Sequence, residues 1–546
     1  MQETDYDHYE FSDSERPILP GAPFVPRQSP LMKVGYTALA MFCGISATLP
    51  NALITVNIPS LAGAQGLDLT QIYWLPAVFV AFNAVANLCL VKGRQQFGIP
   101  AVTYVLVLSY IAATVLQIFI PSFGLALISR AINGLLSAAL TGITIFSLFQ
   151  VLPLPKRPLS LLISIGLLQL GTPIARLFPV EMLALHHWRG LHLIELGSAL
   201  SILAATSALP MPPVPRIKAF EPLDFVTIVL ALGGMLLLCG VLSVGRIVWW
   251  TDTPWVGAAL LGSLALLTPA AIIEHVRARP LFQLRWLTSA EILRYIVTAT
   301  LIRLALAEQT YGSVGLLSLG GLINDQLHPL FIFVTAGMIA ALLVAVLAFK
   351  PERILPMLLV ASLLIAVGAW LDAQSNSLSR PPQLIISQTL IGAGTMLFIG
   401  PAMVYGIAAV IKKGPAFLIT FIVLFGVTQN VGGLAGSALL GSIEVQRARA
   451  HAIALSEDIH LSDPQVVGRI AAGAAALAPV LPDSGQQSLQ GSGLLGQALT
   501  LQANVLAFND VFFVVTIISI LSALVLAILI WASGRIQTSP AKGSTT

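Results

Sequence analysis

Six ionisable side chains, Arg130, Arg176, Glu181, Glu195, Arg303 and Glu308, fall inside long apolar stretches of this sequence. Within a bilayer such groups are costly and mark paths for substrates or ions. A carboxylate in a low dielectric can load and release a proton, which makes the acids candidate proton carriers. Arg130 and Glu195 each sit roughly two turns from the outer end of their stretches at about 1.5 Å per residue. They can form a static buried pair or part of a proton relay. Glu181 and Glu308 stand nearer helix ends and are further candidates for proton coupling. Arg303, near the middle of its stretch, is the hardest to explain by a side chain reaching back to water. With Arg176, Gln429 and Asn430 it is a candidate substrate ligand, and a guanidinium there suits an anionic or zwitterionic cargo such as an aromatic or fatty acid. Arg176/Glu181 and Arg303/Glu308 are five residues apart. Helix neighbours are three or four apart, so their partners come from other helices. Gln429 and Asn430 share a stretch with Gly426, Gly432, Gly433, Gly436 and Gly441, which suits either a cavity wall or an interhelical hydrogen bond.

The elements that must hold these residues are membrane helices. Of 546 residues, 56% are hydrophobic and 10% charged, against about 25% charged in a soluble domain, and mean hydropathy is +0.88. Stretches of roughly 20 apolar residues, enough to span a bilayer, follow one another from Gly35 to Trp531. The pattern predicts helices at 35–59, 72–91, 100–120, 123–150, 159–182, 188–209, 223–244, 256–274, 288–316, 329–349, 354–373, 382–411, 415–442 and 511–533. Turn formers such as Gly98-Ile-Pro100, Pro153-Leu-Pro155 and Gly414-Pro415 fall in the breaks. Every second break carries the cations (Lys92/Arg94, Lys156/Arg157, Arg216/Lys218, Arg277/Arg279/Arg285, Lys350/Arg353, Lys412/Lys413), so these breaks and both termini are expected in the cytoplasm. Residues 1–34 are acidic and Pro-rich without an apolar core, which predicts a disordered cytoplasmic tail rather than a signal peptide. Residues 534–546 form a second tail. The polar stretch 443–509 is expected as an external loop that begins with a helical pattern over 444–459.

Several chemistries lack their residues. The net charge of +4 is scattered in pairs, not gathered into a nucleic-acid patch. No phosphate-binding Gly-Lys-Ser/Thr loop is present, His186-His187 has no further metal ligands nearby, and Cys43, Cys89 and Cys239 lie in apolar segments. No cofactor, metal site or enzyme activity is expected.

Asn57-Ile-Pro59-Ser-Leu-Ala-Gly63, Leu127-Ile-Ser-Arg130-Ala-Ile-Asn133-Gly134, His187-Trp188-Arg189 and the run from Gln502 to Phe512 resemble the major facilitator superfamily, in its fourteen-helix drug:proton antiporter branch of the EmrB/QacA type. The resemblance covers residues 35–533. It implies an all-α polytopic membrane protein of two six-helix bundles plus two inserted helices. In residue terms these are 35–213 for the first bundle, 222–275 for the inserted pair, 286–442 and 510–533 for the second bundle, and 443–509 as a periplasmic loop. It assigns Arg130 to the fourth-helix motif connected with proton coupling. Departures are Pro50 where an acid is common in the first helix, Val91 to Gly98 without its usual acid, and Arg176 in the fifth helix. What the resemblance implies is efflux of amphipathic small molecules, drugs or organic acids, in exchange for protons across the bacterial inner (plasma) membrane, with a periplasmic membrane-fusion adaptor as a candidate partner. A proton-coupled metabolite symporter and a membrane enzyme acting on lipid-linked substrates are the alternatives.

Overall fold

Ser29 accepts a hydrogen bond from the Met32 amide at 3.3 Å and Pro30 opens the helix, so the first apolar stretch starts as a capped helix α1, Pro30–Thr55. The same logic repeats along the chain, which a computed structural model describes at residues 12, 15–17, 21–277, 280–287, 289–414 and 417–538. Most of the expected 1–34 tail before Gly21, and the C-terminal end from 539, lie outside the described residues. The spans that follow are α2 (Trp74–Phe97), α3 (Ile99–Phe119), α4 (Phe123–Val151), α5 (Arg157–Gln169), α6 (Val180–Ala208), α7 (Pro222–Val248) and α8 (Pro254–Val276). The second half holds α9 (Ala290–Ala305), α10 (His328–Leu347), α11 (Ile354–Asp372), α12 (Ile385–Lys413), α13 (Leu418–Glu457) and α14 (Ser484–Thr538). Gly98 turns α2 into α3 with φ of 85°, a conformation only glycine adopts freely.

Thirteen helices among the described residues are long and apolar enough to cross a membrane. The remaining expected span, over 288–316, is present in pieces: α9 is followed by a π-helical turn, Glu308–Gly312, and a short helix, Ser313–Leu319. The fifth span also breaks, because Gly171 and Pro173 interrupt its ladder after Gln169. It ends before Pro179, so Glu181 belongs to the first turn of α6 and not to the fifth helix as its position suggested. Trp188, with a left-handed φ of 66°, separates that turn region from the spanning part of α6.

The stretch expected as a loop, 443–509, is helical for most of its length. α13 runs on unbroken to Glu457, a short helix Pro464–Leu477 is capped by Asp463, and α14 begins at Ser484. Arg447 and His451 both reach Asp510 Oδ2, at 2.5 and 2.7 Å, and tie the two long helices together. Alanine, leucine and glutamine favour helix in segments too polar to read as membrane spans, so a search for spans does not reveal the extension.

α1 to α6 pack around α4 as one bundle, and α9 to α14 pack around α11, α12 and α14 as the other. Without a hydrophobic drive between helices in lipid, close approach of small residues does much of this packing. Asn83 Nδ2 bonds the Gly134 carbonyl at 3.1 Å, and a Cβ at Gly134 would meet the Phe79 carbonyl oxygen at 2.5 Å. Gly134→Leu is therefore expected to force α2 from α4 and lower stability by about 1–3 kcal/mol, read as a drop in thermal unfolding temperature in detergent. An unchanged temperature would mean the contact yields freely.

Of the inserted pair, α7 packs on α2 and α13, one helix from each bundle, and α8 packs on α7. At the cation-rich face Asp224 receives Lys92 at 2.6 Å and Arg277 at 2.8 Å. At the opposite face Arg246 lies between the Tyr73 and Tyr311 hydroxyls at 3.2 and 3.4 Å, and Trp250 Nε1 donates to Ser442 Oγ at 2.7 Å.

Candidate functional site

The bundles enclose a central cavity of about 330 Å³ between α1, α2, α4 and α5 on one side and α9, α12 and α13 on the other. Its polar lining includes Asn83, Asn87, Arg94, Arg303, Gln429 and Asn430, and among the described residues no aspartate or glutamate contributes to the wall. Arg303 Nε donates to the Gln429 carbonyl at 2.8 Å, and its guanidinium lies against Gly433, where a Cβ would meet Nη2 at 2.7 Å. Asn430 Nδ2 donates to Asn83 Oδ1 at 2.7 Å across the bundle boundary. Arg303, Gln429 and Asn430 thus share one cavity. Asn430 also makes the interhelical bond that was its alternative reading.

Arg176 stands elsewhere. Buried at the end of the fifth span, it donates to the Val56 carbonyl at 3.3 Å and Asn324 Oδ1 at 3.1 Å, while Asn324 returns a bond to the Arg176 carbonyl. Its guanidinium lies over the Phe331 ring at 5.5 Å. These contacts, with Asp325 capping Val180 N at 2.9 Å, join the two bundles at the face opposite the cation-rich one. Arg176 is not among the cavity's lining residues.

Arg130 and Glu195 meet in the core of the first bundle at 2.6 Å, both almost completely buried. The second Glu195 oxygen faces His192 Nδ1 at 3.1 Å, and Arg130 also reaches the Pro50 carbonyl and the Tyr110 hydroxyl. Every charge here has a partner. Glu181 is exposed and joins neither group.

Glu308 is different. It lies fully buried in the π-turn of the ninth span, where Gln388 Nε2 donates to its two oxygens at 3.0 and 3.2 Å. The same nitrogen reaches Asp372 Oδ2 at 2.6 Å. Two carboxylates converge on one amide, and among the described residues no cation is paired with either. Asp372 ends α11 and has the sequence position of an interfacial acid, and Gln388 stands one turn into α12, so hydropathy marks neither as a site residue. By position alone Arg94 is a loop cation, and the cavity residues it joins include Asn83 and Asn87. Their spacing of four residues in an apolar span was the available signal, because it puts two amides on one helix face.

Two helical bundles around a central cavity, with an inserted helix pair at their seam, define a multi-pass membrane protein with the major facilitator fold. No family model and no curated protein matches the chain. Solved structures do. Tetrameric PepTSo2 aligns over 91% of this chain and 99% of its own at 11% identity, TM-score 0.53. A structure on substrate recognition in proton dependent oligopeptide transporters aligns over 91% and 98% at 12% identity, TM-score 0.54. The human organic anion transporter MFSD10 (TETRAN) aligns over 90% and 100% at 13% identity, TM-score 0.49.

Proposed function

We propose that this chain is a secondary active transporter that exports amphipathic organic anions in exchange for protons. The observation that supports this best is the cavity, lined from both bundles and carrying Arg94 and Arg303 with no acid among the described residues of its wall. A midplane site between two bundles allows alternating access when one rocks against the other. The proton rides on the Glu308/Asp372 pair, while Glu195, neutralised by Arg130, steadies the first bundle. The cation-rich breaks put that face and both termini in the cytoplasm of a bacterial inner membrane. The helical projection of α13 and α14 then enters the periplasm, where an adaptor protein would find it. The antiporter branch of the EmrB/QacA type fits the motifs around Arg130 and Asn504.

The test is uptake and proton movement in proteoliposomes challenged with aromatic and fatty acids beside cationic drugs. The anions are expected to dissipate an imposed pH gradient, and Arg303→Gln to abolish their transport while unfolding within a few degrees of wild type. Unchanged anion transport in Arg303→Gln, or proton movement with the cationic drugs alone, would overturn the reading.

A further inference from the structure

Arg94 lies three residues from the cation-rich end of α2, where a long cationic side chain ordinarily turns outward to water. It turns inward. Its guanidinium stacks on the Phe146 ring at 5.1 Å and packs against Gly142, a position where any Cβ would collide with it. Nε has no hydrogen-bond partner, and no ion pair engages Arg94 among the described residues. The other deep guanidiniums, Arg130 and Arg176, are held by Glu195 and Asn324. Arg94 shares its cavity with Arg303, which likewise lacks a carboxylate.

The helix register sets the span between these two charges. Arg303 bonds Gln429, beside Asn430, whose amide meets Asn83; Asn83 in turn bonds Gly134. Arg303 is therefore level with Gly134, while the Arg94 head is level with Gly142, eight residues on, or about 12 Å along the helix axis. Between the levels the wall is mixed, with Val91 and Ala138 beside the polar Asn87, Ser137 and Thr141.

We propose that Arg94 and Arg303 hold opposite ends of one substrate, an elongated organic dianion with an acidic group at each end. The inference rests on the cavity being the transport site. Guanidinium forks favour carboxylates over point acceptors. A dianion neutralises both buried charges, whereas a monoanion leaves one uncompensated in a low dielectric.

The experiment is calorimetric and thermal-shift titration of the purified full-length protein with linear dicarboxylates, from succinate to dodecanedioate, against monocarboxylates of equal length. Long dicarboxylates are expected to bind at least tenfold tighter than their monocarboxylate counterparts, and succinate to show no such advantage. Arg94→Gln should erase the advantage without weakening the monocarboxylates, Arg94→Lys should keep part of it, and Arg303→Gln should weaken both series. If Arg94→Gln does not fold, Gly142→Ala, whose Cβ displaces the guanidinium, should give the same selective loss. Equal affinity for the two series in wild type, or an advantage that survives in Arg94→Gln or Gly142→Ala, overturns the dianion assignment alone. Failure of every anion to bind wild type overturns the anion-export reading with it.

Discussion

Glu308→Gln is expected to cut substrate-linked proton movement by about 10²-fold or more, while substrate exchange without net proton flow continues. Glu308 and Asp372 share the Gln388 amide, and among the described residues no cation is paired with either. In the proposed mechanism a proton lost from this pair leaves two negative charges facing one another, and their repulsion would couple proton release to a change in packing. Glutamine preserves the size and can still bond to Asp372, so folding and the cavity are spared. Asp372→Asn should reproduce the phenotype, because a single remaining carboxylate no longer has the repulsion that drives the cycle. π-turns recur at functional sites in membrane and soluble helices, and here one carries the acid. Proteoliposomes loaded with a pH-sensitive dye read proton movement, and counterflow of labelled substrate reads exchange. A Glu308→Gln protein that still acidifies or alkalises the lumen with substrate would remove the pair from the mechanism.

Arg130→Met should destabilise the protein by about 3–5 kcal/mol, the usual effect of stripping one partner from a buried ion pair. It leaves the Glu195 carboxylate with His192 alone, in a bundle core where neither residue of the pair reaches solvent. The double variant Arg130→Met/Glu195→Leu should recover much of that loss, since two apolar side chains of similar size avoid the desolvation cost altogether. Thermal unfolding in detergent, followed by fluorescence, checks both. If the double variant is as unstable as the single one, the bonds of Arg130 to Pro50 and Tyr110 matter more than its charge. Glu195→Gln is expected to lower stability yet leave proton coupling in place. Lost coupling with intact stability would instead assign the proton to Glu195.

Hydropathy and charge alternation in the chain determined the class of fold, because a bilayer accepts only segments that satisfy their backbone internally and are apolar for about 20 residues. The depth of Arg130, Glu195 and Arg303 was readable in the same way, by counting along each helix. Helix breaks were less legible: the π-turn at Glu308 and the end of the fifth span before Pro179 depend on how neighbouring helices fill the gaps in the ladder. In 443–509 the sequence shows a helical pattern only over 444–459, whereas the helices run on through most of the stretch. Only the tertiary structure decided which charges meet. Asp372 and Gln388 are sixteen residues apart on different helices, and Gln388 bridges Asp372 to Glu308 on a third. Arg94 belongs to the cavity because Gly142 on α4 leaves room for its head. Position along a helix gives a residue its depth, whereas its azimuth and its partners come from helices distant in the chain, and those partners decide whether a buried charge is held, shared or left for a substrate.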